Sequence, residues 1–166
     1  MASARQNILD NIETTLNKIL VASGYNFDVK RVVKGKIVPV GKIPLDWRSA
    51  YISFIYSGQT NTRGGSDTLR SAMDVQIYAA MANETSANFM LFLDDIEASL
   101  AKDPSRDGLA NSTYNVIDSF ISSITVFDTQ EVDEVLSPTD QQYKQREALI
   151  GFSVSYNYHA GFISGD

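Results

Sequence analysis

The sequence predicts an α+β domain in which two main helices pack on a sheet of about four to five strands. Three observations carry this expectation. Ile150, Phe152, Val154, Tyr156 and Tyr158 alternate with Gly151, Ser153, Ser155 and Asn157, a strict period of two that gives a strand one apolar face. Two other stretches repeat at helical spacing: Ile8, Leu9, Ile12, Leu16, Ile19 and Leu20, and later Phe89, Phe92, Leu93, Ile96 and Leu100. So regular a strand near the end of the sequence is expected to close a sheet begun much earlier, so the fold depends on long-range pairing.

The elements follow in order. The first helix is expected from about Ser3 to Ser23, with Gly24 where a left-handed cap is wanted. Tyr25, Phe27 and Val29 alternate with Asn26, Asp28 and Lys30, which predicts a strand running to Val33. Between Lys34 and Trp47 lie Gly35, Pro39, Gly41 and Pro44, and the prolines make this an ordered loop rather than a central strand. The run from Ala50 to Tyr56 is apolar on both faces, as a strand covered above and below would be. Ser57 to Ser66, with Gly58, Asn61, Gly64 and Gly65, reads as a long flexible tip leading to a partner strand of Met73, Val75, Ile77 and Ala79.

Asn83, Glu84, Thr85 and Ser86 then offer capping side chains for the second helix, which Pro104 and Gly108 are expected to end. From Tyr114 to Phe127 helical spacing competes with the β-branched run Ile124-Thr125-Val126. That conflict is resolved as a short turn or helix followed by a strand over Ser122–Phe127. Asp128 to Gln145 forms an acidic excursion containing Pro138, too long for an incidental loop.

With 166 residues and 43% hydrophobic content the chain can bury one sizeable core, so residues 1–166 are expected to form a single domain. The sequence holds no cysteine, which excludes disulfides, thiolate metal sites and cysteine nucleophiles. No apolar run approaches the ~20 residues of a membrane span, so a soluble intracellular protein without membrane contact is expected. The Asn-x-Thr triplets at Asn83 and Asn111 match glycosylation acceptors formally and are read as turn and cap residues.

The catalytic inventory is thin. His159 is the sole histidine, Asp94 and Asp95 diverge by about 100° on their helix and are read as a solvated face, and no phosphate loop or nucleophile elbow occurs. Neither an enzyme nor a cofactor site is expected. Trp47, beside Arg48, is either a core anchor or an interface hot spot.

The net charge of −6 conceals two poles. Residues 1–83 carry ten Lys or Arg against six acids, whereas residues 84–166 carry four against fourteen. Lys30, Arg31, Lys34, Lys36 and Lys42 form a basic stretch; Asp128, Glu131, Asp133, Glu134 and Asp140 form its counterpart. These are either solvated loops or the two halves of a head-to-tail contact between identical subunits. The basic stretch lacks interleaved aromatics and the pI is near 4.7, so specific nucleic-acid binding is not expected.

The order of elements resembles the tail terminator, or tail-completion, proteins of tailed bacteriophages. The resemblance is carried by the opening helix ending in Ile19-Leu20 with Tyr25–Val33 beyond, Pro44 leading into Tyr51–Tyr56, Asp74-Val75-Gln76-Ile77 feeding the Phe89–Leu100 helix, and Ile150–Tyr158. It is a likeness of pattern over nearly the whole chain, without a diagnostic short motif.

The resemblance implies a mostly antiparallel sheet against helices and a homohexameric ring that caps the tail tube, ends its polymerisation and offers a joining surface to the neck. It implies a virion protein at the head-proximal end of the tail, assembled in the host cytoplasm. Its partners would be its own copies, the tube protein and a neck or head-completion protein, with DNA passing the lumen unbound. On this reading Lys30, Arg31, Lys34, Lys36, Glu131, Asp133 and Glu134 are candidate subunit contacts. Asn61, Thr62, Arg63, Gly64, Gly65 and Trp47 are candidate contacts to tube or neck. The alternative is a monomeric small-ligand-binding domain or weak enzyme.

Overall fold

The computed structural model describes residues 3–63, 68–101, 116–128 and 144–159. Within them the order is helix α1 (Ala4–Asn17), strands β1 (Arg31–Lys34), β2 (Tyr51–Arg63) and β3 (Thr68–Glu84), helix α2 (Ser86–Leu100), and strands β4 (Val116–Asp128) and β5 (Lys144–His159). The five strands form one sheet in the order β1-β2-β3-β5-β4. Only the β1–β2 pair is parallel. The expected α+β architecture, a largely antiparallel sheet with two helices, is what the chain adopts.

The period-two pattern of β5 sorts the core. Ile150, Phe152, Val154 and Tyr156 all point to the helix-covered face, where they meet Ile77, Val75, Met73 and Ser71 across β3. Ile8, Ile12 and Leu16 of α1 and Phe89, Phe92, Ile96 and Leu100 of α2 close over this face. The segment after β1 covers part of the other face, setting Val40 and Ile43 against Tyr51, Tyr78 and Ala80. Pro39 and Pro44 each precede a short 3₁₀ turn there, Val40–Lys42 and Leu45–Trp47, so the prolines shape a packed loop as anticipated. Ala50–Tyr56 lies between β1 and β3, an interior strand buried on both faces at its start.

Several boundaries differ from expectation, each because backbone donors find other partners. Helix α1 stops at Asn17, not Ser23. Lys18 N–H turns back to Thr15 O at 3.1 Å, and Val21 N–H donates to the Asp28 carboxylate at 2.7 Å. Gly24, at φ 92°, closes the 3₁₀ turn Val21–Ser23 rather than α1 itself.

The strand expected from Tyr25 begins only at Arg31, because Val29 N–H reaches Ile19 O and the Asn26 and Phe27 N–H groups are bound by Asp95. The tip expected at Ser57–Ser66 is mostly ladder: after a bulge at Ser57, β2 pairs with β3 out to Arg63 opposite Leu69. Residues 116–128 are strand throughout, so no helix precedes Ser122 within the described residues; sheet pairing overrides the helical spacing of Val116 to Ile121. Pro104, Gly108 and residues 129–143 of the acidic excursion lie outside the described residues, whereas Asp128 and Lys144 are strand ends.

Candidate interaction surfaces

The basic stretch sits on the β1 edge. Lys30, Arg31 and Lys36 are exposed there, while Lys42, also exposed, belongs to the turn that sets Val40 and Ile43 against Tyr78 of β3. Lys34 is committed inward: its ammonium bonds the Asp10 carboxylate and stands 2.8 Å from Glu13, tying β1 to α1. Hydrogen bonding to Lys34, then to Gln6, holds the Asp10 carboxyl below its ordinary value, and the bonds to Asp10 and Glu13 raise Lys34. Trp47 is half-buried against the Val40 cluster, and the Arg31 guanidinium stacks 5.1 Å from its ring centroid. Trp47 and the basic edge are therefore one surface.

Asn61, Thr62 and Arg63 are exposed at the far end of β2. The Asn61 Oδ1 accepts from Gln59 Nε2 at 2.6 Å and from Ser71 Oγ at 2.8 Å, while Tyr156 and Gln59 side chains bond at 3.1 Å. This polar ladder extends the helix-side face beyond its apolar part and orders the strand end. Gly64 and Gly65 lie outside the described residues, as do Glu131, Asp133 and Glu134. The described β1 edge and β2 end are thus separate surfaces.

Two buried carboxylates were not anticipated. Asp95, read as part of a solvated helix face, is only 3% exposed and corrects that reading. It accepts from Asn26 N at 2.9 Å, Asn26 Nδ2 at 2.7 Å and Phe27 N at 3.1 Å, clamping the loop between α1 and β1 onto α2. The helical spacing held a signal, since position 95 falls on the same arc as Phe92, Ile96 and Ser99.

Glu147 is equally buried, on the face opposite the helices. The Tyr78 hydroxyl donates to its Oε1 and accepts from Val40 N–H at 3.0 Å, latching the proline loop to the sheet. Burial, then the Glu147 bond, pushes the Tyr78 phenol up, so it stays a neutral donor across the physiological range. Glu147 Oε2 and Tyr51 OH are buried without a partner among the described residues, and burial raises the Tyr51 phenol. Ser153, on the polar side of the alternation in the last strand, is 8% exposed on this face.

An open groove of about 740 Å³ lies between the C-terminal half of α2 and β4. Among the described residues no group of three or more His, Cys, Asp or Glu is placed to hold a metal ion, and no helix is long and apolar enough to cross a membrane. Set against known proteins, the chain matches no family model and no curated sequence.

Proposed function

We propose that this chain is a structural subunit that joins copies of itself head to tail into a ring, in the role of a phage tail terminator: capping the tail tube, ending its polymerisation and presenting a surface to the neck. The pattern resemblance supplies the role. The structural observation that supports it is the sheet order, which sets β1 and β4 at opposite edges. Exposed Lys30, Arg31 and Lys36 flank β1, the first strand of the sheet, while Asp128 and Lys144, which bound the acidic excursion in sequence, end β4 and β5, the last two strands of the sheet order. An acidic excursion that meets the basic β1 edge of the next copy makes a heterologous contact, which repeats around a ring when its rotation closes. Asn61 to Arg63, at the end of β2, and Trp47, which borders the basic edge through Arg31, are the residues assigned to tube or neck.

Solution mass tests this reading, measured by sedimentation for the protein alone and with purified tail tubes. A discrete ring, hexameric on the resemblance, is expected alone or once tube ends are supplied. A monomer under both conditions, or tails of normal length assembled in the absence of this protein, refutes it. The charge contact is tested by reversing Lys30 and Lys36 rather than Lys34, whose bonds to Asp10 and Glu13 are internal. Lys30→Glu with Lys36→Glu weakens assembly, Glu131→Lys with Glu134→Lys does the same, and combining the two reversals restores it in part.

A further inference from the structure

Strand β4 is the last strand of the sheet, bonded to β5 on one side and to no strand on the other among the described residues. Natural edge strands are guarded by charge, proline, β-bulges, brevity or cover. β4 has bulges near Asp118 and Ser123, but its thirteen residues include no Lys, Arg or Pro, its regular pairing with β5 runs on from Ser123 to Asp128, and Phe120, Val126 and Phe127 are large exposed apolar side chains upon it. Three of the eight exposed large hydrophobics of the described chain therefore lie on one edge.

The groove runs along this same edge. Its floor is Leu100, Ile121, Ile124 and Phe152, and its α2 wall carries Asp94 and Glu97, with no cationic residue in the lining. Both acids are exposed, and neither has a basic partner among the described residues. Ser119 also lines the groove; it is 7% exposed and its hydroxyl has no hydrogen-bond partner among the described residues. An edge strand with unpaired backbone, beside a cleft overhung by a helix, has the shape of a sheet lacking its next strand.

We infer that the β4 edge and the groove under α2 form a site for β-addition of an extended, cationic amphipathic segment from a partner protein. The backbone of the added segment bonds β4, its inward side chains fill the cleft over Ile121 and Ile124, and Lys or Arg among them reach Asp94 and Glu97. Charge complementarity decides the class of partner: an acidic segment would set like charges together against the α2 wall. The inference goes beyond the ring reading and does not rest on it.

The probe is a fluorescent nonapeptide, Thr-Val-Thr-Lys-Thr-Val-Thr-Lys-Thr, whose valines and lysines share one face, compared with the same peptide carrying glutamate in place of lysine, by anisotropy and by amide hydrogen exchange of the protein. Binding of the lysine peptide with slowed exchange in β4 is expected, and the glutamate peptide should not bind. Ala98→Trp, which fills the cleft from α2, should abolish binding. Asp94→Lys with Glu97→Lys, exposed changes that leave folding intact, should weaken it by about tenfold or more. Failure of the lysine peptide to bind, equal binding of the glutamate peptide, unchanged affinity in both variants, or protection outside β4 overturns the proposal. Self-association of the parent protein that Ala98→Trp abolishes would assign the cleft to a second copy and likewise overturn it.

Discussion

Asp95→Ala is the most informative single substitution for the fold, because one buried side chain joins three elements that share no strand ladder. The carboxylate receives the N–H groups of Asn26 and Phe27 and the amide of Asn26, fixing the α1–β1 connection against α2. Phe27 is held edge-on to Phe92 in the same clamp, their ring centroids 6.2 Å apart. Hydrogen bonds to a charged acceptor contribute ~1.5–3 kcal/mol each, and two backbone donors are orphaned when it is removed.

The Asn26 side chain lies where water reaches it, so its bond adds little. The expected loss is therefore about 3–5 kcal/mol, before any loosening of the Phe27–Phe92 contact. Against a total of ~5–15 kcal/mol this is a large share. In urea unfolding followed by far-UV circular dichroism, with a slope of ~1–3 kcal/mol/M, it moves the midpoint down by roughly 2 M.

Asp95→Asn keeps the shape and one acceptor oxygen and should lose about half as much. Asp94→Ala, one residue away on the exposed side, should stay within ~0.5 kcal/mol. If Asp95→Ala costs under ~1 kcal/mol, or Asp94→Ala costs as much as Asp95→Ala, the clamp does not hold the loop and the argument fails.

Three further outcomes are expected. Val154→Asp puts an unpaired carboxylate at a fully buried position of β5 and should prevent folding, while Ser155→Asp, half-buried on the other face, should leave a cooperative transition; the reverse result would shift the register by one. Gly151→Ala brings a Cβ within 2.7 Å of both Ser122 Oγ and Ser123 Oγ, so both hydroxyls must turn. A loss of about 1 kcal/mol is expected, largely recovered when Ser122 and Ser123 are alanine, and a cost unchanged in that background would refute the contact. Asp10, whose folded value lies below the ordinary 3.8, contributes stability above that pH and loses it as pH falls through the folded value. Lys34, raised above 10.5, contributes below that pH and loses it as pH rises through its folded value. Lys34→Met should therefore flatten both limbs of the urea midpoint against pH at low salt, and superimposable profiles would deny the pairing.

What was legible in the sequence follows a physical division between periodic and non-periodic information. Wherever one face of an element is buried, alternation must be written into the residues, so β5, the start of β2, α1 and α2 were recognisable from spacing alone. β4 was half missed. It is an edge strand with bulges near Asp118 and Ser123, and each bulge shifts the alternation by one, which imitates helical spacing over Val116 to Ile121. The extended reading of Tyr25 to Lys30 failed for a different reason: an alternating pattern shows which side chains point inward, not which acceptors take the backbone N–H groups, and here those are Asp95, Ile19 O and Ala50 O.

The surfaces were less legible than the fold, because a contact between distant positions leaves no local signature. Nothing near Lys34 announces Asp10 and Glu13, and nothing near Glu147 announces Tyr78; each pair forms only when α1 docks on β1 or when β3 and β5 align. Composition could nonetheless locate the basic pole, since Lys30 to Lys36 is a single stretch of chain around β1, which the sheet order sets at one edge. The groove follows from that order too. A sheet whose last strand is entered after α2 leaves that helix overhanging an edge that pairs with no other strand among the described residues, and Asp94 and Glu97, on the exposed side of the helix, become the wall of a cleft rather than a merely solvated face. Sequence spacing placed those acids correctly on the helix; only the register of β4 against β5 says what lies beneath them.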